Sequence, residues 1–125
     1  MRITKYSSVA ACLFCLGGAV PCGQSFIYVS GWGNKGIRGI TTLKLAGSSL
    51  SVVFNTDECG FTPTWLQPAN NILYCTNEGW SESSTLTSFA VNSDGSLSKL
   101  HQVLTQLGPV HSVVYGGGSR LAVPY

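Results

Sequence analysis

The residues of this sequence best suited to acid–base chemistry are a histidine and a glutamate, each next to a strand-like run. His111 follows Gly108-Pro109 at the start of one run, and Glu78 follows Thr76-Asn77 at the end of another. An imidazole, whose ordinary pKa is about 6.5, can serve as a base, an acid or a donor to an oxyanion. A carboxylate can orient water or bind substrate hydroxyls. We predict that both are catalytic; the alternatives are a histidine bonded between structural repeats and a solvated glutamate.

Two tryptophans and an asparagine are predicted to bind the substrate. Trp32 and Trp80 each follow a strand-like run by a few residues, so they occupy equivalent places in the chain. Flat indole faces suit sugar rings, although tryptophans at such places also pack one repeat against the next. Asn77 directly precedes Glu78 and is assigned to the same substrate-binding set.

The cysteines raise the question of a disulfide or a metal site. Cys59 and Cys75 can form a disulfide if the protein is exported, and two separately buried thiols are the alternative. Two cysteines do not make a zinc site. We therefore predict a possible Cys59–Cys75 bridge, no metal and no cofactor.

The first 22 residues have the character of a secretory signal peptide. Arg2 and Lys5 precede an apolar run from Val9 to Val20, which Pro21 then ends. A membrane-spanning helix needs about 20 apolar residues, more than this run supplies. We expect cleavage between Ala19 and Ser25 and a secreted, extracellular protein.

Charge and composition exclude several partners. The chain has seven basic and five acidic residues, and removal of Arg2 and Lys5 leaves five of each. Without a basic patch, neither nucleic acid nor a membrane surface is expected as a partner. The abundance of glycine (15 residues) beside serine, threonine and asparagine suits short strands joined by tight turns.

Strands, rather than helices, must position the candidate residues. No helical period is sustained beyond residue 25, and Asp94-Gly95 is a strong hairpin signal between two of the strand-like runs. These runs cover residues 26–30, 39–45, 50–54, 64–67, 72–76, 85–91, 97–105, 111–115 and 121–125.

The strands repeat with a period of 46 residues. Phe26-Ile27-Tyr28-Val29-Ser30 aligns with Ile72-Leu73-Tyr74-Cys75-Thr76, and Thr42-Leu43-Lys44-Leu45 aligns with Ser88-Phe89-Ala90-Val91. Four strands per unit of this length are typical of β-propeller blades. We predict an all-β propeller fragment over residues 26–125: a first blade without its inner strand (26–56), one complete four-stranded blade (62–105) and the start of a third (108–125).

One face of such a propeller should carry the site, because the connections from strand d to strand a and from b to c meet there. This face gathers Trp32, Asn34, Asp57, Glu58, Trp65, Asn77, Glu78, Trp80 and His111. The chain ends within or just after a strand, so we expect an N-terminal fragment that is inactive and folds poorly alone.

Three stretches carry a resemblance to a known family: Leu73-Tyr74-Cys75-Thr76-Asn77-Glu78, Gly108-Pro109-Val110-His111-Ser112-Val113, and the run from Gly118 to Tyr125. In these stretches the sequence resembles the 6-phosphogluconolactonase family of seven-bladed propellers, as a secreted, fungal-type member. Two departures are Gly116-Gly117-Gly118 in place of a Pro-Asp-Gly-like turn and Pro124 in place of asparagine.

The resemblance implies metal-independent hydrolysis of a sugar lactone by a protein that is monomeric at full length, with His111 and Glu78 near the ligand. Water would attack the ester carbonyl while positioned donors stabilise the oxyanion. The alternative is a non-catalytic secreted propeller that binds glycans or proteins, since one fold hosts many functions.

Overall fold

A computed structural model describes residues 10–14, 24–32, 39–80 and 83–125. Ten strands make up the regular structure of these residues. Within these ranges there is no helix, which confirms the predicted all-β fold class. None of these residues lies in a helix that could cross a membrane. The strands are β1 (Ala10–Phe14), β2 (Gln24–Gly31), β3 (Gly39–Ala46), β4 (Ser49–Thr56), β5 (Pro63–Ala69), β6 (Ile72–Asn77), β7 (Thr85–Val91), β8 (Leu97–Leu104), β9 (Val113–Tyr115) and β10 (Arg120–Ala122).

The strands form three antiparallel sheets in chain order. One four-stranded sheet has the order β1-β2-β3-β4, a second has the order β5-β6-β7-β8, and β9 pairs with β10 in a third. Each strand pairs with its neighbour in the chain, as blades of a propeller do. The second sheet corresponds to the blade predicted over residues 62–105.

The first sheet contains a strand that the sequence did not predict. Residues 26–56 were expected to lack an inner strand, whereas β1 lies beside β2 on the edge away from β3, with Ala10 opposite Ser30 and Phe14 opposite Phe26. An extended apolar segment there satisfies backbone groups that would otherwise be unpaired. Residues 1–9 and 15–23, most of the predicted signal peptide, lie outside the described residues, so the signal peptide stays a prediction.

The two four-stranded sheets repeat each other in detail. The pairing of β3 with β4 shifts register between Thr42 and Leu43, and the pairing of β7 with β8 shifts between Ser88 and Phe89. The two irregularities are 46 residues apart, the period found in the sequence. Such shifts increase local twist where they are bulges, and both sheets carry one at the same place in the repeat.

The hydrophobic core lies where these two sheets face each other. Phe26 and Tyr28 on β2 are buried against the second sheet, and the Tyr28 hydroxyl donates a hydrogen bond to the Gly95 carbonyl oxygen at 3.2 Å. The buried hydrophobic residues are Phe26, Tyr28, Ile40, Cys59, Leu66, Leu73, Cys75, Phe89 and Leu97. The end of the β7–β8 hairpin is therefore part of the contact between sheets.

The β7–β8 connection is a turn closed by its own polar groups. The Gly95 amide donates to the Asn92 carbonyl oxygen and the Asn92 amide donates to the Ser96 carbonyl oxygen, both at 3.0 Å. Gly95 has φ of 85°, as expected when a left-handed residue follows a turn in a hairpin. Hydrogen bonds from the Ser96 side chain and then its backbone hold the pKa of Asp94 below its usual value, so the ionised form stabilises the turn.

Candidate functional site

The predicted site residues lie at one end of the strands. In the antiparallel second sheet, Asn77 at the end of β6 is opposite Pro63 at the start of β5 and opposite Thr85 at the start of β7. Glu78 and Trp80 therefore emerge beside the loop that precedes β5. Trp32 follows the end of β2 and contacts Trp80, so the first sheet adds its own residue to this end.

His111 is held against the start of β5 by an aromatic contact. Its imidazole stacks on the indole of Trp65, with ring centroids 4.1 Å apart and planes tilted by 39°. The Thr64 hydroxyl donates to the Pro109 carbonyl oxygen at 3.0 Å, which fixes the segment leading to His111. The sequence placed Trp65 on this face without predicting a contact for it. Trp65 and His111 each lie near the start of one of two neighbouring inner strands, and this equivalence could have predicted their contact.

Glu78 is anchored through its backbone on both sides. Its amide donates to the Thr62 carbonyl oxygen at 3.0 Å, and its carbonyl oxygen accepts a hydrogen bond from the Ser84 hydroxyl at 2.6 Å. Its half-buried side chain makes no hydrogen bond or ion pair to the residues that the structure describes. The backbone at Glu78 is thus fixed, while its carboxylate has no hydrogen-bond partner among the described residues.

Asn77 has its side chain turned into the protein. Only 1% of the residue is exposed. Its Oδ1 accepts hydrogen bonds from the Thr62 amide at 2.9 Å and from the Thr62 hydroxyl at 3.0 Å, while its Nδ2 donates to the Ser83 carbonyl oxygen at 3.3 Å. The structure therefore gives Asn77, predicted to bind substrate, a role in holding the two loops of the site together.

These bonds form a connected unit, here called the Asn77 clamp: Asn77 with Thr62, Gly79, Ser83 and Ser84. The Gly79 amide donates to the Thr62 hydroxyl at 2.9 Å, so the threonine links the asparagine to the residue before Trp80. A Cβ atom on Gly60 would lie 2.5 Å from the Asn77 amide group. The preceding loop therefore packs directly on the clamp, and only glycine permits that approach.

A disulfide reinforces the same loop. Cys59 and Cys75 are bonded, with Cα atoms 6.1 Å apart, and both residues are fully buried. The bridge joins the loop before β5 to β6, two residues ahead of Asn77. Closing a loop of this size contributes about 3 kcal/mol to stability by restricting the unfolded chain.

Trp32 and Trp80 form an aromatic pair across the two sheets. Their ring centroids are 5.6 Å apart and their planes are tilted by 55°. Trp80 is 73% exposed, whereas Trp32 is half-buried. The centroid separation lies within the range of favourable aromatic pairs, the rings are tilted, and most of the Trp80 indole still faces solvent.

Acidic side chains and exposed hydrophobic side chains, among them Phe61 and Leu107, also lie at this end. Asp57 and Glu58 are exposed in the loop before β5. Within the described ranges no three His, Cys, Asp or Glu side chains come together as metal ligands. Asn34, also predicted on this face, lies outside the described residues. The arrangement offers an imidazole and a carboxylate, both attached to the start of β5, with an indole pair beside them.

Comparison with known proteins identifies one family. The model of a family described as "Lactonase, 7-bladed beta-propeller" matches residues 26–123. The matched segment runs from within β2 to just beyond β10, so it contains every predicted site residue. No curated protein and no solved structure matches the chain.

Proposed function

Because the chain belongs to the lactonase family of seven-bladed β-propellers, we propose that its protein hydrolyses the ester bond of a sugar lactone. The family supports a lactone as the small-molecule substrate. The finer resemblance, to 6-phosphogluconolactonases, makes a sugar-acid lactone the first compound to test.

The proposed reaction uses His111 as the proton carrier. A water molecule attacks the lactone carbonyl carbon while the imidazole accepts a proton from it. The bond between this carbon and the ring oxygen then breaks, and the imidazolium returns the proton to that oxygen, which yields the open-chain hydroxy acid. Glu78 would orient the sugar by accepting hydrogen bonds from its hydroxyls.

The observation that carries this proposal is the common attachment of both groups to the start of β5. His111 stacks on Trp65, and the Glu78 amide binds the Thr62 carbonyl oxygen, three residues earlier in the chain. The His111 ring and the backbone of Glu78 are thus held before substrate arrives, and groups held in place lose little entropy when the reaction begins. Further blades of a seven-bladed ring would supply the donors for the oxyanion.

Replacing His111 by alanine is expected to lower the rate of lactone hydrolysis by about a hundredfold, because general acid–base catalysis is worth at least that factor. Glu78→Gln should raise KM more than it lowers kcat, since it keeps the shape and loses the charge. The measurement is hydrolysis of glucono-1,5-lactone and of its 6-phosphate, followed by acid release, with all blades of the propeller present.

His101→Ala is the matched control, because His101 is the other histidine of the chain and is exposed on the outer strand β8. It should leave both kcat and the melting temperature unchanged. Equal activity in His111→Ala and the parent protein, or an equal loss in both histidine variants, would contradict the assignment.

We also propose that the protein is exported with removal of residues 1–22. The Cys59–Cys75 disulfide supports this location, because disulfides persist in oxidising compartments. Sequencing the N-terminus of the secreted protein should give a start between Val20 and Phe26. Recovery of exported protein that retains residues 1–19 would overturn the proposal and leave β1 in the mature chain.

A further inference from the structure

The Trp32–Trp80 pair has no part in the hydrolytic steps proposed above. Trp80 is one of the most exposed large hydrophobic residues described, at 73%. Leaving an indole in water gives up part of the free energy that burial of so large an apolar side chain would provide. Trp32, from the adjacent sheet, contacts it at a centroid separation of 5.6 Å. The protein thus presents an aromatic surface at the boundary between two sheets.

This surface is presented on a fixed backbone. The Gly79 amide is bound to the Thr62 hydroxyl at 2.9 Å, and the Ser84 hydroxyl is bound to the Glu78 carbonyl oxygen at 2.6 Å. A Cβ on Gly79 would lie 2.5 Å from the Ser84 amide nitrogen, which shows how closely the two ends of this connection pack. The backbone that carries Trp80 is therefore held in place, so the exposure of its side chain is a feature of the folded structure.

We propose that Trp32 and Trp80 form a stacking subsite for a pyranose ring of a saccharide. A glucose-type ring has an apolar C–H face that fits an indole and a rim of hydroxyls that need acceptors. Glu78, two residues before Trp80, has carboxylate oxygens with no hydrogen bond to the described residues. An indole face and a carboxylate two residues away in the chain offer a partner to each half of such a ring.

The surroundings favour a sugar over a protein partner. The connection that carries Trp80 also contains Glu78, Ser83 and Ser84, which place polar side chains close to it in the chain. A stable protein interface has a larger apolar centre from which charged residues are depleted. The subsite goes beyond the proposed function, because stacking of a saccharide requires neither a lactone nor its hydrolysis.

Nuclear magnetic resonance can test the subsite with one probe. The chain has three tryptophans, so each indole N–H gives one assignable signal. Titration with cellotetraose, a chain of glucose rings without a lactone, should shift the Trp32 and Trp80 signals along one binding curve and leave Trp65 unchanged. A shift of Trp65 alone, or no shift, would overturn the proposal. So would a shift that follows protein concentration without sugar, since it would mean that a second copy covers the pair.

Variants separate stacking from a general effect on the fold. Trp80→Ala should weaken cellotetraose binding about tenfold, and Trp80→Phe should retain most of it. Tyr115→Ala is the matched control, because Tyr115 is an exposed aromatic residue at the other end of the strands and should leave binding unchanged. Equal binding by Trp80→Ala and the parent protein would overturn the subsite. Cellotetraose has no ester to cleave, so failure of the lactonase proposal leaves these results unaffected.

Discussion

Replacing Gly95 by alanine is expected to lower the free energy of unfolding by about 4 kcal/mol, from backbone strain and core overpacking together. Gly95 has φ of 85°, a conformation that side chains rarely adopt, and its added Cβ would lie 2.5 Å from the Phe26 ring. Phe26 is buried between the two sheets and cannot move away without opening the core. The loss should appear in urea unfolding as a lower midpoint with an unchanged slope.

Gly47→Ala is the control for the strain alone. Gly47 closes the β3–β4 hairpin with φ of 60°, and a Cβ there would meet nothing within 4 Å. Its cost should be about 1 kcal/mol, the penalty for a left-handed alanine without a clash. If the two variants were equally stable, the β7–β8 hairpin would not pack against Phe26, and the described contact between the two sheets would be wrong.

Much of the fold could be predicted because the sequence repeats. The alignment of residues 26–30 with 72–76 placed β2 and β6 correctly, and Asp94-Gly95 identified the β7–β8 hairpin. Such local signals depend on neighbouring residues alone: alternation of apolar side chains, and a glycine where φ is positive. The contact of Gly95 with Phe26 could not be predicted in the same way, because it depends on how two sheets lie against each other.

Strand β1 shows a second reason why the structure differs from the sequence-based prediction. The run at residues 10–14 was interpreted by its length and its flanking charges, which are typical of an export signal. In the structure the same apolar segment pairs with β2 over five residues. Apolar segments of this length suit either role, and pairing with a distant strand edge leaves no separate mark in the sequence.

The common location of the predicted site residues could be inferred from the sequence better than their contacts, and their roles stay a prediction. His111, Glu78, Trp32 and Trp80 were expected at one end of the strands, where the structure places them. Trp65, which contacts His111, lies directly after an irregularity between Pro63 and Trp65 in the β5–β6 pairing. A one-residue shift of register reverses which face of the sheet a side chain occupies. The residue types at this place do not predict such a shift.

Asn77 is the residue whose role changed most between sequence and structure. An asparagine after a strand commonly lies in an exposed turn, and beside Glu78 it suggested a substrate ligand. Its amide instead holds the loop before β5 through Thr62 and the connection after β6 through Ser83. The backbone that carries Glu78 and Trp80 is thus held by the buried side chain of Asn77, whereas His111 is held by its separate contact with Trp65.

Replacing Asn77 by alanine is therefore expected to lower the free energy of unfolding by about 4 kcal/mol. The change leaves the part-buried Thr62 amide without its acceptor and opens a space beside Gly60, and each effect alone costs about 1–3 kcal/mol. Asn55→Ala is the matched control, because Asn55 is exposed and its Nδ2 donates one hydrogen bond, to the Thr41 hydroxyl at 2.7 Å. That variant should lose about 1 kcal/mol or less.

The indole signals show whether Asn77 positions the site as well as stabilising the fold. At a temperature where the variant remains folded, loss of the Asn77 clamp releases the Thr62 hydroxyl that holds Gly79. The Trp80 signal should then shift or broaden, while that of Trp65, held on His111 by a separate contact, should stay in place. Unchanged signals from both tryptophans in a destabilised variant would limit Asn77 to stability and remove it from the arrangement of the site.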